Sequence, residues 1–342
     1  MAKTPALIRR YLIVGPSWVG DMVMAQSLFI ALKQRFPDCE IDVVAPDWSL
    51  PVLRRMPQVR GGIALPVAHG RFGLRERFRL GRSLRSKGYT HAIVLPRSWK
   101  SALVPWFAGV PVRTGYRGEM RFGLLSDIRK LDKTVLRQTV QRYVALGIDD
   151  RTAVAPAVPL PVLETSRGNT ERLVSALELD LSRPVVCMMP GAEYGPAKQW
   201  PVVYYARLAA KLVASGYSVW VLGSAKESAL GECITRELAE AGRNLCGSTE
   251  LVDVVDLLAM ATQVVTNDSG LMHIAAAVGV KLNVIYGSST PDYTPPLTEA
   301  STLNIFYQAL SCSPCFKRVC PLGHTNCLNG IDVETVYSKM LH

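Results

Sequence analysis

A lysine and two glycines form a segment suited to binding phosphate. Residues 190–201 (PGAEYGPAKQWP) follow an apolar run and precede an amphipathic stretch. Gly191 and Gly195 allow the backbone to turn sharply, and Lys198 offers a mobile cation just before the next helix. A lysine and free loop N–H groups together can recognise phosphate. The alternative is an ordinary solvated lysine.

A second segment, residues 267–278, has the pattern of a helix start that accepts an anion. Asp268 or Ser269 can cap the predicted helix, and Gly270 lets a ligand approach its free N–H groups. Such a helix start suits a pyrophosphate. His273 lies in the same helix, where a lone histidine is more often a packing residue than a catalyst. Ser224, after another predicted strand, is placed to contact a nucleoside.

Asp21 lies in a segment that resembles a phosphate loop but has the wrong charge. In GPSWVGDM (residues 15–22) the glycines have P-loop spacing, but Asp21 and Met22 replace the lysine and hydroxyl residue that hold phosphate and magnesium. The helix dipole keeps an aspartate near a helix start ionised, so Asp21 can act as a general base. The alternative, favoured on this segment alone, is an N-capping aspartate.

Four of the eight cysteines lie within sixteen residues and predict a structural zinc site. They have the spacing C-x2-C-x4-C-x6-C and are Cys312, Cys315, Cys320 and Cys327. Four thiols at this density can surround one tetrahedral zinc ion, although the spacing is not that of a zinc ribbon. The alternative is a loop of reduced thiols, or disulfides formed in air.

Short β-branched runs alternate with amphipathic stretches along the chain, which predicts parallel sheets covered by helices. The pattern restarts after the proline-rich residues 153–163, a predicted linker. We therefore expect an α/β protein with two facing Rossmann-like domains, residues 1–165 and 166–342, and a cleft between them. Ligands of such sheets bind at the carboxyl ends of the strands. The main strands are predicted at residues 11–14, 41–45, 91–95, 112–115, 185–189, 218–222, 264–266 and 282–286.

The positive charge of the 342-residue chain is confined to one segment. The formal net charge is +11, and residues 54–133 hold 18 Lys and Arg against 4 Asp and Glu. Four arginines recur at three- and four-residue intervals along one predicted helix face, namely Arg71, Arg75, Arg79 and Arg82. This predicts a surface that faces anionic lipid or a phosphorylated acceptor. The alternative is a solvated helix face.

Composition excludes several classes of protein. With 49% hydrophobic and 20% charged residues the chain is not disordered, and it lacks the run of about 20 apolar residues needed to span a membrane. Residues 1–18 show no apolar core followed by a cleavage site, so secretion is not expected. We expect a cytoplasmic protein whose cysteines stay reduced unless they bind a metal.

Five motifs, taken in order, resemble those of glycosyltransferase family 9. They are GPSWVGDMVMAQSL (15–28), RTGYRGEMRFGLL (113–125), PGAEYGPAKQWP (190–201), NDSGLMHIAAA (267–277) and YGSSTPDYTPPL (286–297). Several long motifs in the right order are more specific than any single loop. The resemblance implies a GT-B fold with the acceptor on the N-terminal domain and the nucleotide sugar mainly on the C-terminal one. It also implies that the last helix, near residues 333–341, packs back on the N-terminal domain.

The resemblance further implies a reaction and its partners. Heptose would pass from ADP-heptose to the first heptose of a heptosyl-Kdo2-lipid A acceptor, with inversion at the anomeric carbon. The enzyme would work at the cytoplasmic face of the inner membrane with peripheral contact, without nucleic acid. No cofactor is implied for catalysis, which agrees with the absence of a DxD motif. A structural zinc would lie outside the catalytic pattern.

The resemblance also assigns roles to residues. Asp21 matches the base that deprotonates the acceptor hydroxyl, so base becomes the favoured interpretation over cap. Lys198 matches the cation that neutralises the departing diphosphate, which is stabilisation of transition-state charge. The segment that contacts the nucleotide sugar is matched by Asp268, Ser269 and Gly270, with His273 nearby. At the adenosine loop no ribose-binding carboxylate aligns with certainty; Glu227 is one candidate, and it can equally begin a helix.

Three alternatives remain at this point. One is heptosyltransferase I, which uses an acceptor that lacks heptose, and another is a different nucleotide-sugar enzyme of the same fold. The third is a nucleic-acid-binding protein, suggested by the basic segment. Its aromatic residues Tyr89, Trp99 and Trp106 lie in or beside apolar runs, so we expect them to pack in the core rather than stack on bases. No known nucleic-acid-binding module is recognisable.

Overall fold

The chain forms two compact α/β units. The structure is a computed structural model that describes residues 8–67, 71–148 and 154–341. The units divide between Pro161 and Val162, and the predicted boundary lies four residues later. Within the predicted linker, residues 154–163 form neither helix nor strand, whereas Ala153 lies outside the described residues. Residues 1–7, which belong to the segment considered above for a secretion signal, also lie outside the described residues.

The first unit contains a parallel six-stranded sheet with the strand order β3-β2-β1-β4-β5-β6. Its strands are β1 (Arg10–Val14), β2 (Glu40–Ala45), β3 (Gly61–Ala64), β4 (His91–Val94), β5 (Val112–Tyr116) and β6 (Asp127–Arg129). Its helices are α1 (Val19–Arg35), α2 (Leu50–Leu53), α3 (Leu74–Leu84), α4 (Leu103–Phe107) and α5 (Thr139–Leu146). The predicted strands of this half are confirmed to within one residue at each end.

The second unit repeats this topology, with the parallel strand order β12-β11-β10-β7-β8-β9. Its strands are β7 (Val185–Met189), β8 (Ser218–Val221), β9 (Gly242–Asn244), β10 (Gln263–Asn267), β11 (Lys281–Tyr286) and β12 (Leu303–Tyr307). Its helices are α6 (Arg167–Ala176), α7 (Val202–Ala214), α8 (Ser228–Thr235), α9 (Leu251–Met260), α10 (Gly270–Val278), α11 (Asn326–Asn329) and α12 (Val333–Leu341).

The central strands are apolar because helices cover both faces of each sheet. All five residues of β7 are buried, and so are Leu12, Ile13 and Val14 of β1. A strand buried on both faces must be apolar at successive positions and not only at alternate ones. This is why these strands appear in the sequence as continuous Val, Ile, Leu and Met runs.

The strand order fixes where each sheet can bind a ligand. In each unit the order reverses between two central strands, β1 and β4 in the first sheet and β7 and β10 in the second. The loops that leave such a pair at its carboxyl end diverge to opposite faces and open a crevice. In the second unit those loops are residues 190–201 and 268–270, the segments that the sequence marked as candidate phosphate sites.

The last helix packs against the core of the second unit, and its expected packing on the N-terminal domain stays a prediction. Helix α12 contacts α7 and β12, and its Val336 and Met340 lie in the same apolar cluster as Leu212. These two residues are spaced i, i+4 and face the same side of the helix. The apolar side chains of α12 therefore pack in the core of its own unit.

No helix in the described ranges combines the length and apolar character that crossing a bilayer requires.

Candidate active site

Lys198 and Asp268 form an ion pair where two central strands of the second sheet end. Lys198 lies in a short 3-10 turn in the loop after β7, and Asp268 follows β10 directly. The pairing of β7 with β10 brings both loops to one edge of the sheet. Lys198 Nζ contacts Asp268 Oδ2, and the two side chains are only 16% and 4% exposed. The Ser289 hydroxyl, beyond β11, donates to the same carboxylate oxygen.

Asn267 joins the two loops, a role that sequence reasoning missed. Its Nδ2 donates to the Pro190 carbonyl (2.6 Å), while its Oδ1 accepts from the backbone N–H of Trp200 (3.0 Å) and the Tyr205 hydroxyl (3.2 Å). The side chain is fully buried. It thus ties the beginning and the end of the Lys198 loop to β10. The available signal was its place beside Asp268 in a quoted motif.

The start of α10 offers unused hydrogen-bond donors. Ser269 occupies the N-cap position, but its side chain makes no capping hydrogen bond. Its buried hydroxyl has no partner among the described residues. Gly270 is the first helical residue and adds no side chain. The free N–H groups and the dipole of α10 therefore favour an anion here, as the sequence predicted, without the predicted side-chain cap.

His273 is buried and uncharged near neutral pH. The residue is 5% exposed. Burial lowers its pKa to about 4; Asp268 acts in the opposite direction, and Lys198 lowers the pKa further. A neutral imidazole adds no positive charge for a diphosphate. This favours the packing interpretation of His273 over a cationic role.

The loop after β8 is closed by Glu227. The carboxylate accepts from the backbone N–H (2.6 Å) and the hydroxyl (3.0 Å) of Ser224, so it caps the turn that begins there. A Cβ atom at Gly191 would lie 1.5 Å from Glu227 Oε1. A side chain at position 191 would therefore displace this carboxylate from Ser224. Glu227 both begins a helical turn and lies at the carboxyl ends of β7 and β8.

Asp21 lies in the first turn of α1 and is not its N-cap. The cap position belongs to Trp18, whose side chain makes no capping hydrogen bond, and Asp21 is the third residue of the helix. The interpretation of Asp21 as a capping residue is therefore wrong. Its half-buried carboxylate sits where the dipole of α1 favours negative charge, just after the carboxyl end of β1.

Arg121 supports the neighbouring loops of the first unit and was not singled out by sequence reasoning. It is 2% exposed. Its guanidinium donates to the carbonyls of Pro96 (2.8 Å) and Tyr116 (3.2 Å), so it joins the loops after β4 and β5. Burial, and to a lesser degree Arg97, lowers its pKa to about 10. Arg121 thus remains charged at neutral pH and is satisfied by carbonyl oxygens.

The four clustered cysteines lie together beside the Lys198 loop. They line a cavity of about 20 Å³ that also involves Ala197 and Ser288. All four are free thiols. As the side chains stand, the described residues contain no group of three or more His, Cys, Asp or Glu arranged to hold a metal ion.

The basic helix exposes aromatic as well as charged side chains. Arg75, Arg79 and Arg82 of α3 are exposed, and Phe78 between them is 43% exposed. Arg71 is exposed too, but it precedes the helix. In the adjacent α4, Trp106 is 44% exposed. We call the surface formed by Arg75, Phe78, Arg79, Arg82 and Trp106 the basic-aromatic surface.

Two aromatic residues of this region contradict their predicted burial. Trp99 and Trp106 are 40% and 44% exposed, whereas Tyr89 is buried as expected. Short helices explain the difference. A 3-10 turn (Trp99–Ala102) leads into the five-residue α4, and these two turns bury Ala102, Leu103 and Val104 while the tryptophans face outward.

Comparison with known proteins places the chain in a family. A model of glycosyltransferase family 9 (heptosyltransferase) matches residues 77–326. The chain belongs to this family. Lys198, Asp268 and the start of α10 lie inside the matched range, and Asp21 precedes it. The motif resemblance and the GT-B fold class are thereby confirmed, and the chain is a glycosyltransferase.

Curated relatives and a solved structure cover nearly the whole chain. Lipopolysaccharide heptosyltransferase 2 of Escherichia coli strain K12 is 49% identical over 298 residues, 84% of this chain and 86% of that protein. Lipooligosaccharide heptosyltransferase 2 of Haemophilus influenzae is 48% identical over 303 residues, 85% and 87% of the two chains. The solved structure of E. coli ADP-heptose LPS heptosyltransferase II is similar with a TM-score of 0.85 and 42% identity, and 97% of each chain is covered.

Proposed function

We propose that the chain transfers heptose from ADP-heptose to the first heptose of a heptosyl-Kdo2-lipid A acceptor in lipopolysaccharide core synthesis. The relatives named heptosyltransferase 2, at 48–49% identity, support this choice. The observation that carries the proposal is the Lys198–Asp268 pair beside the start of α10. A buried cation next to unused N–H and hydroxyl donors suits the diphosphate of a nucleotide sugar.

The leaving group defines the role of Lys198. As the bond between the anomeric carbon and the diphosphate breaks, negative charge grows on the departing phosphate oxygen. Lys198 neutralises that charge, and the N–H groups of α10 with the Ser269 hydroxyl donate hydrogen bonds to the phosphates. Donors that are already in position cost no reorganisation at the moment of reaction, which makes this kind of stabilisation large.

The acceptor hydroxyl needs a base, and Asp21 is the candidate. A carboxylate at the third position of α1 lies where the helix dipole favours negative charge, and it can take the proton as the hydroxyl attacks the anomeric carbon. Attack from the face opposite ADP inverts the configuration at this carbon. No metal is assigned a part in these steps.

The assay that tests the proposal measures ADP release with defined acceptors. Release that requires both ADP-heptose and heptosyl-Kdo2-lipid A is the expected result. Release with Kdo2-lipid A, which lacks heptose, would contradict it in favour of heptosyltransferase I. Release without any acceptor would contradict heptose transfer altogether.

A variant of Asp21 provides the catalytic control for this assay. Asp21→Asn should lower kcat by roughly two orders of magnitude or more, the range of a lost general base, while binding of ADP-heptose is kept. Asp38→Asn removes an exposed carboxylate of the same unit and should leave kcat unchanged. Near-normal turnover of Asp21→Asn would remove this residue from the mechanism.

The lipid-linked acceptor also suggests where the enzyme works. We propose a cytoplasmic enzyme that contacts the inner membrane peripherally through the basic-aromatic surface. Arginine and exposed aromatic side chains together suit the interface of an anionic bilayer. Arg82 lies 5.7 Å from the centre of the Phe78 ring, so charge and apolar surface are contiguous on α3.

A further inference from the structure

The four clustered cysteines close a small cavity in the second unit. About 20 Å³ is enclosed, the size of one water molecule or one ion. The thiols that line it are Cys312, Cys315, Cys320 and Cys327. Ser288, which is 1% exposed, lines the same cavity, and its hydroxyl has no partner in the described part of the chain. The cavity is thus small and lined by sulfur atoms, and it includes a buried hydroxyl without a hydrogen-bond partner among the described residues.

The segment that carries Cys312, Cys315 and Cys320 has no regular secondary structure. Residues 308–325 form neither helix nor strand, and a structureless stretch of this length is uncommon in a compact unit. Its large apolar residues Phe316, Val319 and Leu322 are exposed. Because it lacks an apolar core of its own, a cross-link among its cysteines is the device that would fix its course.

Besides the four thiols, the cavity lining contains one other kind of metal ligand, a histidine. The thiolate is the form of cysteine that ligates metal. His324 lines the cavity as well, but its Nδ1 accepts from the backbone N–H of Asn326 (3.0 Å). Four thiols therefore suffice for a closed tetrahedral site.

Hydrogen bonds join the cysteine segment to the Lys198 loop. The backbone N–H of Ala197 donates to the Arg318 carbonyl (3.0 Å), and the Tyr194 hydroxyl donates to the Phe316 carbonyl (2.7 Å). Gly195 has a φ of +149°, and a Cβ there would lie 2.5 Å from the Arg318 oxygen. The position of the cysteine segment thus helps to fix the position of Lys198.

We propose that Cys312, Cys315, Cys320 and Cys327 bind one zinc ion in a structural site that fixes the loop carrying Lys198. The thiols line the cavity but do not yet surround a common point. Zinc binding therefore requires the sulfur atoms to turn toward the centre of the cavity, and each thiol releases its proton as it binds. Four thiolates leave no open position, so the ion stabilises the segment and takes no part in the transfer.

The test begins with the metal content of the resting full-length protein, purified without chelators. Elemental analysis should find about one zinc per chain, and a thiol-blocking mercurial should release it to a coloured chelator. Cys320→Ser should lose most of the zinc. Cys233→Ser, which removes a partly exposed thiol outside the cluster, should keep it. Wild-type protein without zinc, with iron instead, or with disulfides among these cysteines would overturn the proposal.

Protease sensitivity supplies a readout that does not depend on transferase activity. Removal of zinc from the wild-type protein should speed cleavage within residues 308–325 at least several-fold, and re-addition of zinc should restore protection. Equal cleavage with and without zinc would contradict the structural role even if Cys320→Ser fails to fold. Because these measurements use the resting protein, their failure is distinguishable from failure of the proposed transfer reaction.

Discussion

Lys198 is paired with Asp268, so a diphosphate bound as proposed would share the ammonium group with this carboxylate. The pair is largely buried, and Ser289 shares the carboxylate with Lys198. Asp268 therefore holds the ammonium group of Lys198 next to the start of α10. Its own negative charge is balanced by the Lys198 and Ser289 contacts, which limits its repulsion of phosphate.

Replacing Lys198 with methionine tests the contribution of its positive charge, because methionine has a similar length but no charge. Lys198→Met should lower kcat by about 100- to 1000-fold, as expected when one group that stabilises transition-state charge is lost. The measurement is steady-state kinetics with both substrates, together with thermal unfolding. Lys339→Met removes an exposed lysine of α12, outside the candidate site, and should have little effect. If Lys198→Met keeps near-normal kcat, the leaving-group role assigned to Lys198 is excluded.

The candidate residues that could be found from the sequence are those whose signals are local. Lys198, Asp268 and Gly270 stand next to glycines and predicted strand ends, so their position along the chain indicates their setting. Asn267 was missed because its hydrogen-bond partners lie 62 to 77 positions away in the sequence. Arg121 was missed because its contacts join loops that follow two different strands. Such contacts depend on which strands are neighbours, and one sequence does not show this.

Among the elements, predictability follows burial. Central strands such as β1, β7 and β10 form continuous apolar runs and were predicted within one or two residues. The short strands β3 and β9 were not, because their sequences GGIA and GRN are poor in the β-branched residues that mark a strand. They extend each sheet only because a neighbouring strand supplies hydrogen-bond partners.

The hydrogen bonds of Asn267 hold the two loops of the candidate site together. Asn267→Ala leaves the buried N–H of Trp200 and the carbonyl of Pro190 without partners, at about 1–3 kcal/mol each. The melting temperature of the protein should fall, and the KM for ADP-heptose should rise because the Lys198 loop is no longer fixed to β10. Calorimetry and kinetics measure the two effects.

A second asparagine in the same sheet distinguishes loss of stability from loss of loop position. Asn304 of β12 donates to Asn283 (2.8 Å) within the sheet, in a strand that carries none of the candidate site residues. Asn304→Ala should also lower the melting temperature while leaving the KM for ADP-heptose unchanged. An equal rise in KM for both variants would show that general destabilisation, and not the Asn267 cross-link, sets nucleotide-sugar binding.

At the scale of the whole molecule, the excess positive charge lies in the first unit. Residues 54–133, which carry a net +14, contain strands β3 to β6 and the helices between them. The exposed Trp99 and Trp106 removed the argument that aromatic residues of this segment pack in the core. Family membership argues against the nucleic-acid alternative, and contact of the basic-aromatic surface with an anionic membrane stays a prediction.

The basic-aromatic surface predicts that membrane binding depends on charge position and not only on net charge. Changing Arg75, Arg79 and Arg82 together to glutamine should weaken binding to phosphatidylglycerol-containing vesicles roughly 100-fold at low salt, because each arginine near an anionic surface contributes about 1 kcal/mol. Sedimentation with vesicles measures the change, and added salt should reduce the difference. Changing the exposed Arg183, Arg207 and Arg236 of the second unit alters net charge equally and should have little effect. If both triple variants bind alike, the basic-aromatic surface is a solvated helix face.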